Sequence, residues 1–369
     1  MRKAVVIGLG IGMAHAAGYM ESPDADLHGV CDLIPERTSR MGGTFESGSM
    51  LCLKPLFTKN QLAGKWEKAG VKVYPDMASV LSDPEVDIVS ICTPDYLHLN
   101  HLKLAMKAGK DILLEKPVGI DIMAAEALSA EVSAYPGALG IGYEFRLNPA
   151  ILKMRELVLS GEVGPIEGFS LYHFRTPFRR DKWNSWIQKR EYSGGLIIEE
   201  TCHWFDLARY ITGKEVESLH CLTTGGVHQD FDFEDIAYIN GTFKERGILQ
   251  ISHSLTGFDF SLQLCLHGQK GTVWCGLKEE NYSSLDGGAS DHIGIVSFGK
   301  PGMSPADARI WKWGKEATEP QNIRDLVKEF AARSAQNVPQ RASWEDGCQS
   351  LRLSVKALES ARLGKIVKT

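Results

Sequence analysis

Apolar residues are spaced in two different ways along this chain, and the change between them divides it. Through the first third, short runs rich in β-branched residues, at 3–8, 27–31, 71–74, 86–92 and 111–115, alternate with stretches of helical spacing. Between the last two runs, Leu99, Leu102, Leu104, Ala105 and Ala108 recur at near-helical intervals and Gly109 ends the pattern, as a crossover helix ends. Strands that alternate with helices build a parallel sheet, because each crossover needs a helix to bring the chain back. Past about residue 150 the texture changes: a short helix over 151–159 stops at Gly161, and two-residue alternation then recurs from 166 to 274. That period predicts a mainly antiparallel sheet with one wetter face. The tail over 323–365 is helical in pattern, broken near Pro339, and is expected to pack back on the body. The pattern predicts an α/β fold. A doubly wound parallel sheet occupies 1–145, and an α+β domain with a large, mainly antiparallel open sheet occupies 146–369. Residues 42–70 lack a clear period and read as an insertion before the strand at 71–74.

Composition narrows the function classes. With 369 residues, 43% of them hydrophobic and 24% charged, the chain has enough apolar material for two cores. A formal charge of -5 and a pI near 6.1 leave no basic stripe for a phosphate backbone, so nucleic acid is not an expected partner. No stretch is apolar for the ~18 residues of a membrane span, and the opening 20 residues read as a strand and turn, since glycines interrupt the apolar run. The eight cysteines are dispersed, without a C-x-x-C pair or zinc-like spacing, so reduced thiols in a cytoplasmic protein are expected. Small molecules are the expected partners.

Gly8, Gly10 and Gly12, with Ile11 among them, follow the first expected strand and precede a helix. In that context a glycine turn lets backbone N–H groups approach a pyrophosphate. The usual G-x-G-x-x-G would put its third glycine at Met13, so either Gly12 substitutes one residue early or the helix packs less tightly on the strand. Asp32 closes the second strand, where a carboxylate accepts from the ribose hydroxyls and repels a 2′-phosphate, favouring NAD over NADP. Arg37 and Arg40 nearby leave room for a phosphate.

Two further segments, Cys-Thr-Pro-Asp-Tyr-Leu-His over 92–98 and Gly-Lys-Asp-Ile-Leu-Leu-Glu-Lys-Pro over 109–117, are the most specific in the chain. They resemble the Gfo/Idh/MocA family of oxidoreductases, the glucose–fructose oxidoreductase, inositol dehydrogenase and rhizopine-catabolism type. Segments 142–149, 161–166, 268–273 and 360–367 follow in the order of that family's landmarks, so the resemblance covers essentially the whole chain. It implies a Rossmann domain whose cofactor lies beside Thr93, Pro94, Asp95, His98 and Glu115, with Lys116 at the reaction centre and Arg146 toward the substrate. It also implies a homo-oligomer through the open sheet.

A second cluster lies in 193–210. On one continuous helix Glu199, His203, Asp206 and Tyr210 would share a face. A carboxylate one turn before a histidine can orient the ring and stabilise its charged form, which suits a general base. The family commonly has D-x-G-x-H here; Glu199 and Thr201 stand instead. A glutamate and a histidine four apart can also bind a metal, but no third ligand is evident and none is expected; His203 as a structural histidine is the plainer reading. Upstream, Lys182, Trp183 and Trp186 fall in a segment mixing aromatic rings with cations and amides, which suits either a sugar ring or a wedge against the domain.

These observations predict an NAD-dependent dehydrogenase that moves a hydride between nicotinamide and a secondary hydroxyl of a sugar, cyclitol or glycoside. Lys116, His203 and Glu199 are its expected catalytic residues. An NAD-using lyase or glycosidase with transient sugar oxidation, and a silent NAD sensor, are the alternatives; a sensor has no need of Lys116 or His203.

Overall fold

The computed structural model describes residues 1–38, 66–177, 185–258, 260–278 and 292–369. Six parallel strands form the first sheet: β1 Arg2–Ile7, β2 Ala25–Cys31, β3 Lys72–Tyr74, β4 Ile88–Ile91, β5 Asp111–Glu115 and β6 Leu139–Gly142. Helices cover both faces, which is why β4 is buried at every position and reads as a continuous apolar run. The order is β3-β2-β1-β4-β5-β6. The strand order therefore reverses between β1 and β4, and ligands of such sheets lie outside the carboxyl ends of the strands at that switch.

The second sheet holds nine strands: β7 Ile166–Phe174, β8 Val216–Gly225, β9 Glu234–Phe243, β10 Ile248–Ser254, β11 Ser261–Gly268, β12 Thr272–Lys278, β13 Gly294–Gly299, β14 Arg309–Trp313 and β15 Val367–Lys368. Their order is β14-β13-β12-β11-β7-β10-β9-β8-β15, antiparallel throughout except for the β7–β10 pair. One face packs on the helices Pro149–Leu159 and Thr201–Thr212, joining Met154, Phe205 and Leu207 to Phe169, Leu264 and Val273 in one core. The other face carries Tyr172, Tyr238 and Leu222 exposed, aligned through Ser252. The alternation at 166–274 located most of this sheet but not β13 to β15; β14 is exposed or half-buried at every position, so it lacks the contrast on which period is read.

The tail forms two helices, Glu319–Ala335 and Trp344–Leu363. The first lies on the helix Gly12–Glu21 so closely that a Cβ at Gly18 would stand 2.8 Å from the Cβ of Val327. The second carries Trp344 and Leu351 into the first sheet's core and Leu353 and Ala357 into the second's. Within the expected insertion, only a turn at Trp66–Ala69 lies among the described residues, and Trp66 is fully buried. Among the described residues no helix is long and apolar enough to cross a membrane.

Candidate active site

Four chain segments leave the carboxyl ends of the parallel strands around the switch. After β1, Gly8 takes a φ of +93°, and a Cβ there would stand 2.3 Å from the carbonyl oxygen of Cys92. Only glycine fits so close a crossing of two backbones. A Cβ on Gly10 would meet nothing within 4 Å, whereas one on Gly12 would stand 2.7 Å from Val6 Cγ1 and 3.2 Å from Cys92 Cβ. Gly12 therefore supplies the close helix–strand packing, one residue before the usual place, and the packing is not relaxed. Ile11 stands at the N-cap of Gly12–Glu21 without a side-chain cap, so a phosphate can meet the helix end. The open approach at Gly10, the uncapped helix and the nearby Asp32 carboxylate fit a dinucleotide. Asp32 accepts from the backbone N–H of Leu9 at 2.7 Å and of Ile34 at 2.8 Å, with Arg37 Nη1 3.6 Å from its Oδ2. Arg40 lies outside the described residues.

After β4 and β5, the two family-like segments are tied together by His98. Its Nδ1 lies 2.6 Å from the carbonyl oxygen of Pro117 and its Nε2 2.7 Å from that of Thr93. The ring is buried and both nitrogens face backbone, so His98 braces the two segments rather than touching a ligand; burial lowers its pKa despite the two carbonyls. Glu115 likewise turns inward, its Oε1 2.8 Å from His15 Nε2, and His15 Nδ1 and Tyr19 OH both reach Ser90 Oγ, at 3.1 and 2.9 Å. That chain of buried polar groups behind β5 went unread in the sequence because His15 sits among small apolar residues of a helix. Thr93 and Pro94 are half-buried beside the switch, and Thr93 Oγ1 is 2.9 Å from His101 Nδ1. Asp95 is buried with Oδ2 unpartnered among the described residues, and burial together with the Glu199 charge raises its pKa well above the usual carboxylate range.

Lys116 meets the second domain. Its Nζ donates to Glu199 Oε1 at 2.9 Å and to the Glu199 carbonyl at 3.0 Å. Burial alone would lower the lysine's pKa, but Glu199, Cys202 and Asp95 outweigh it and hold the pKa well above the ordinary value.

The expected continuous helix is broken. Leu196–Glu199 ends at Glu200, whose φ of −119° interrupts the helical backbone, and Thr201–Thr212 begins after it. Glu199 therefore points to Lys116, and the expected Glu199–His203 pair is corrected. Among the described residues the carboxylate nearest His203 is Glu144, with Oε1 3.8 Å from Nε2, beyond hydrogen-bond reach. His203 Nδ1 has no partner among the described residues, and Tyr143 and Phe145 meet the ring edge-on at 5.7 and 5.4 Å between centroids. Burial and then the Lys116 charge push the His203 pKa well below 6.5. Glu144 was missed: it stands two residues before Arg146 with no period to mark it. Burial and the charge of Glu319 raise its pKa well above 4.5, and burial raises that of Glu319 to about 7.

Arg146 is also corrected. Its Nε and Nη2 bond Asp206 at 2.8 and 2.5 Å, and its Nη1 bonds the Arg341 carbonyl at 2.7 Å and Asp346 at 3.2 Å. The guanidinium is a buried tie between helices, not a substrate contact. Trp186 is half-buried in the turn Ser185–Gln188; Lys182 and Trp183 lie outside the described residues. The turn Arg190–Ser193 brings Tyr192 against Tyr96, with ring centroids 5.1 Å apart.

Residues 2–143 match the model of an oxidoreductase family with an NAD-binding Rossmann fold, and residues 151–274 match the GFO/IDH/MocA C-terminal domain. The chain belongs to the Gfo/Idh/MocA family of oxidoreductases. Among its relatives, YrbE, an uncharacterised oxidoreductase of Bacillus subtilis, is 30% identical over 207 residues, which span 54% of this chain and 58% of YrbE. The myo-inositol 2-dehydrogenase of Thermotoga maritima is 27% identical over 279 residues, 73% of each chain. A levoglucosan dehydrogenase solved with NADH and levoglucosan shares the fold at a TM-score of 0.80 with 18% identity, over 100% of this chain and 99% of that one. Like other Gfo/Idh/MocA oxidoreductases, this chain carries an NAD-binding first domain.

Proposed function

We propose that this oxidoreductase removes a hydride from a secondary hydroxyl-bearing carbon of a sugar, cyclitol or glycoside, with NAD as acceptor. The observation that carries the reading is the meeting of Lys116 and Glu199, 2.9 Å apart, with His203 four residues further on and its Nδ1 unpartnered among the described residues. NAD, when bound, takes up the hydride; the protein must supply a base for the hydroxyl proton and hold the carbinol in place. His203, neutral because its pKa lies well below 6.5, accepts that proton. Lys116, kept cationic, donates to the reacting oxygen and stabilises the developing alkoxide. Glu199 holds Lys116 in position. Thr93, Pro94 and Asp95 would flank the cofactor, and Trp186 would offer an aromatic face to the C–H side of a ring. Names of the relatives support the substrate class: one acts on myo-inositol and another binds levoglucosan, both rings dense in secondary hydroxyls.

The test is a panel of inositols, free sugars and aryl glycosides with NAD and, separately, NADP, following absorbance of the reduced cofactor. Substrate-dependent NADH formation supports the reading and identifies the class. Substrate consumption without NADH would move the case to a lyase or glycosidase, and cofactor binding without turnover on any of them would overturn it.

A further inference from the structure

We propose that His173, Glu200 and His253 form a buried binding site for one divalent transition-metal cation of the kind zinc represents. His173 on β7 and His253 on β10 are direct partners in the register of the sheet. Glu200 sits at the break between the helices Leu196–Glu199 and Thr201–Thr212 and reaches down between the two rings. One ligand atom from each of the three lies within 4.8 Å of the others, and all three residues are buried. They come from widely separated segments, so no sequence spacing could have shown them together.

The hydrogen bonds fix where the protons are. His173 Nδ1 lies 3.1 Å from the backbone carbonyl of Ser261, and a carbonyl only accepts, so Nδ1 carries the hydrogen. The Thr201 hydroxyl donates to the Leu196 carbonyl at 3.2 Å, so it must accept from His253 Nδ1 at 2.9 Å. With one hydrogen on each ring, Nε2 of both holds a lone pair. Both lone pairs converge on the Glu200 carboxylate, His173 Nε2 at 3.2 Å from Oε1 and His253 Nε2 at 3.8 Å from Oε2. His253 Nε2 and Glu200 Oε2 have no hydrogen-bond partner among the described residues.

Three acceptors facing one another in a buried site repel unless a cation lies among them. One proton answers only one of the two rings, whereas one dication bonds all three ligands. Tetrahedral zinc, with bonds of about 2.0–2.2 Å to nitrogen and oxygen, sets its ligand atoms roughly 3.3 Å apart; His253 Nε2 and Glu200 Oε2 stand 3.8 Å apart and all three ligands lie within 4.8 Å, so a small inward shift would close on the ion. A far ring nitrogen bound to a protein oxygen is the usual support of a metal-ligating histidine, and both rings have it. Arg175 Nη1 lies 2.7 Å from Glu200 Oε1 and holds that oxygen, leaving Oε2 for the metal. Arg175 is a cation beside the site, but it is paired with the Glu200 carboxylate, as Lys116 is with that of Glu199. The metal would pin two strands of the sheet to the helix break that presents Glu199 and His203. Its role is to position that break, not to touch substrate.

The test uses the full chain purified without chelator, dialysed against metal-free buffer and analysed for metals, beside His253→Gln and Glu200→Gln. The wild type is expected to hold one equivalent of zinc or another first-row divalent metal per chain, and each variant little or none, with NAD binding retained as the check that they fold. If the variants do not fold, wild type stripped with chelator and titrated with zinc(II) or cobalt(II) decides. Saturable uptake of one equivalent with a raised thermal midpoint, and d–d bands of nitrogen- and oxygen-ligated cobalt, support the site. No uptake by the stripped wild type, or metal content in folded variants equal to wild type, would overturn it.

Discussion

Lys116 Nζ stands 2.9 Å from Glu199 Oε1 and 3.0 Å from the Glu199 carbonyl, so one cation leaving the parallel sheet is held twice by a single residue of the second domain. Both side chains are mostly buried, 15% and 11% exposed. Removing one partner of a buried pair costs about 3–5 kcal/mol, and the residual exposure puts this pair toward the lower end. Glu199→Gln is therefore expected to lower the thermal midpoint and to reduce kcat with little change in the substrate KM, since the lysine loses its counter-charge and is left with neutral acceptors alone. Thermal unfolding and steady-state kinetics check both effects. An unchanged kcat would remove Lys116 positioning from the account.

The pH profile follows from His203. Its pKa is pushed well below 6.5 by burial and by Lys116, so the neutral base persists as pH falls through 6.5 and is lost only further down. A metal cation at the neighbouring cluster would act in the same direction. The acid limb of kcat/KM is expected below 6.5, and Lys116, held above its ordinary value, adds no alkaline loss below about 10. An acid limb well above 6.5 that disappears in His203→Ala contradicts the assignment.

At Asp32 the carboxylate braces Leu9 and Ile34 with Arg37 alongside. Charge-assisted hydrogen bonds contribute about 1.5–3 kcal/mol, so Asp32→Ala is expected to weaken NAD by roughly 10- to 100-fold. NADP is expected to weaken less, because the repulsion of its phosphate goes with the carboxylate. Dissociation constants for the two cofactors, measured on wild type and variant, check the change in their ratio.

Three alanine substitutions in the glycine turn separate packing from ligand approach. Gly8→Ala meets both a φ of +93° and the Cys92 carbonyl at 2.3 Å, and is expected to be the most damaging to stability. Gly12→Ala presses on the Val6 and Cys92 side chains and is expected to cost about 1–3 kcal/mol. Gly10→Ala meets nothing within 4 Å, so its thermal midpoint is expected to stay near wild type while NAD affinity falls.

Much of the fold was legible in the sequence because its strands differ in environment. The doubly covered β1 and β4 read as apolar runs, and the half-exposed strands from β7 to β12 as alternation. The site was legible where a motif sits at a strand end, as with Gly8, Asp32 and Lys116. It failed where one residue in an irregular conformation redirects its neighbours: the break at Glu200 turned Glu199 toward Lys116 and left Glu144 nearest His203. Arg146 was misread because its acceptors, Asp206, Asp346 and the Arg341 carbonyl, lie 60 to 200 positions away. His15, Ser90 and Tyr19 form one polar chain only once a helix and two strands are packed.

The most direct test of the central claim compares wild type, Lys116→Ala and His203→Ala for NADH formation on the best substrate of the panel, with NAD affinity measured separately by titration. Both variants are expected to bind NAD within a few-fold of wild type, while kcat falls about 100- to 10,000-fold without the base and about 100- to 1,000-fold without the lysine. Near-wild-type kcat in either variant, at full cofactor and substrate saturation, would contradict the account.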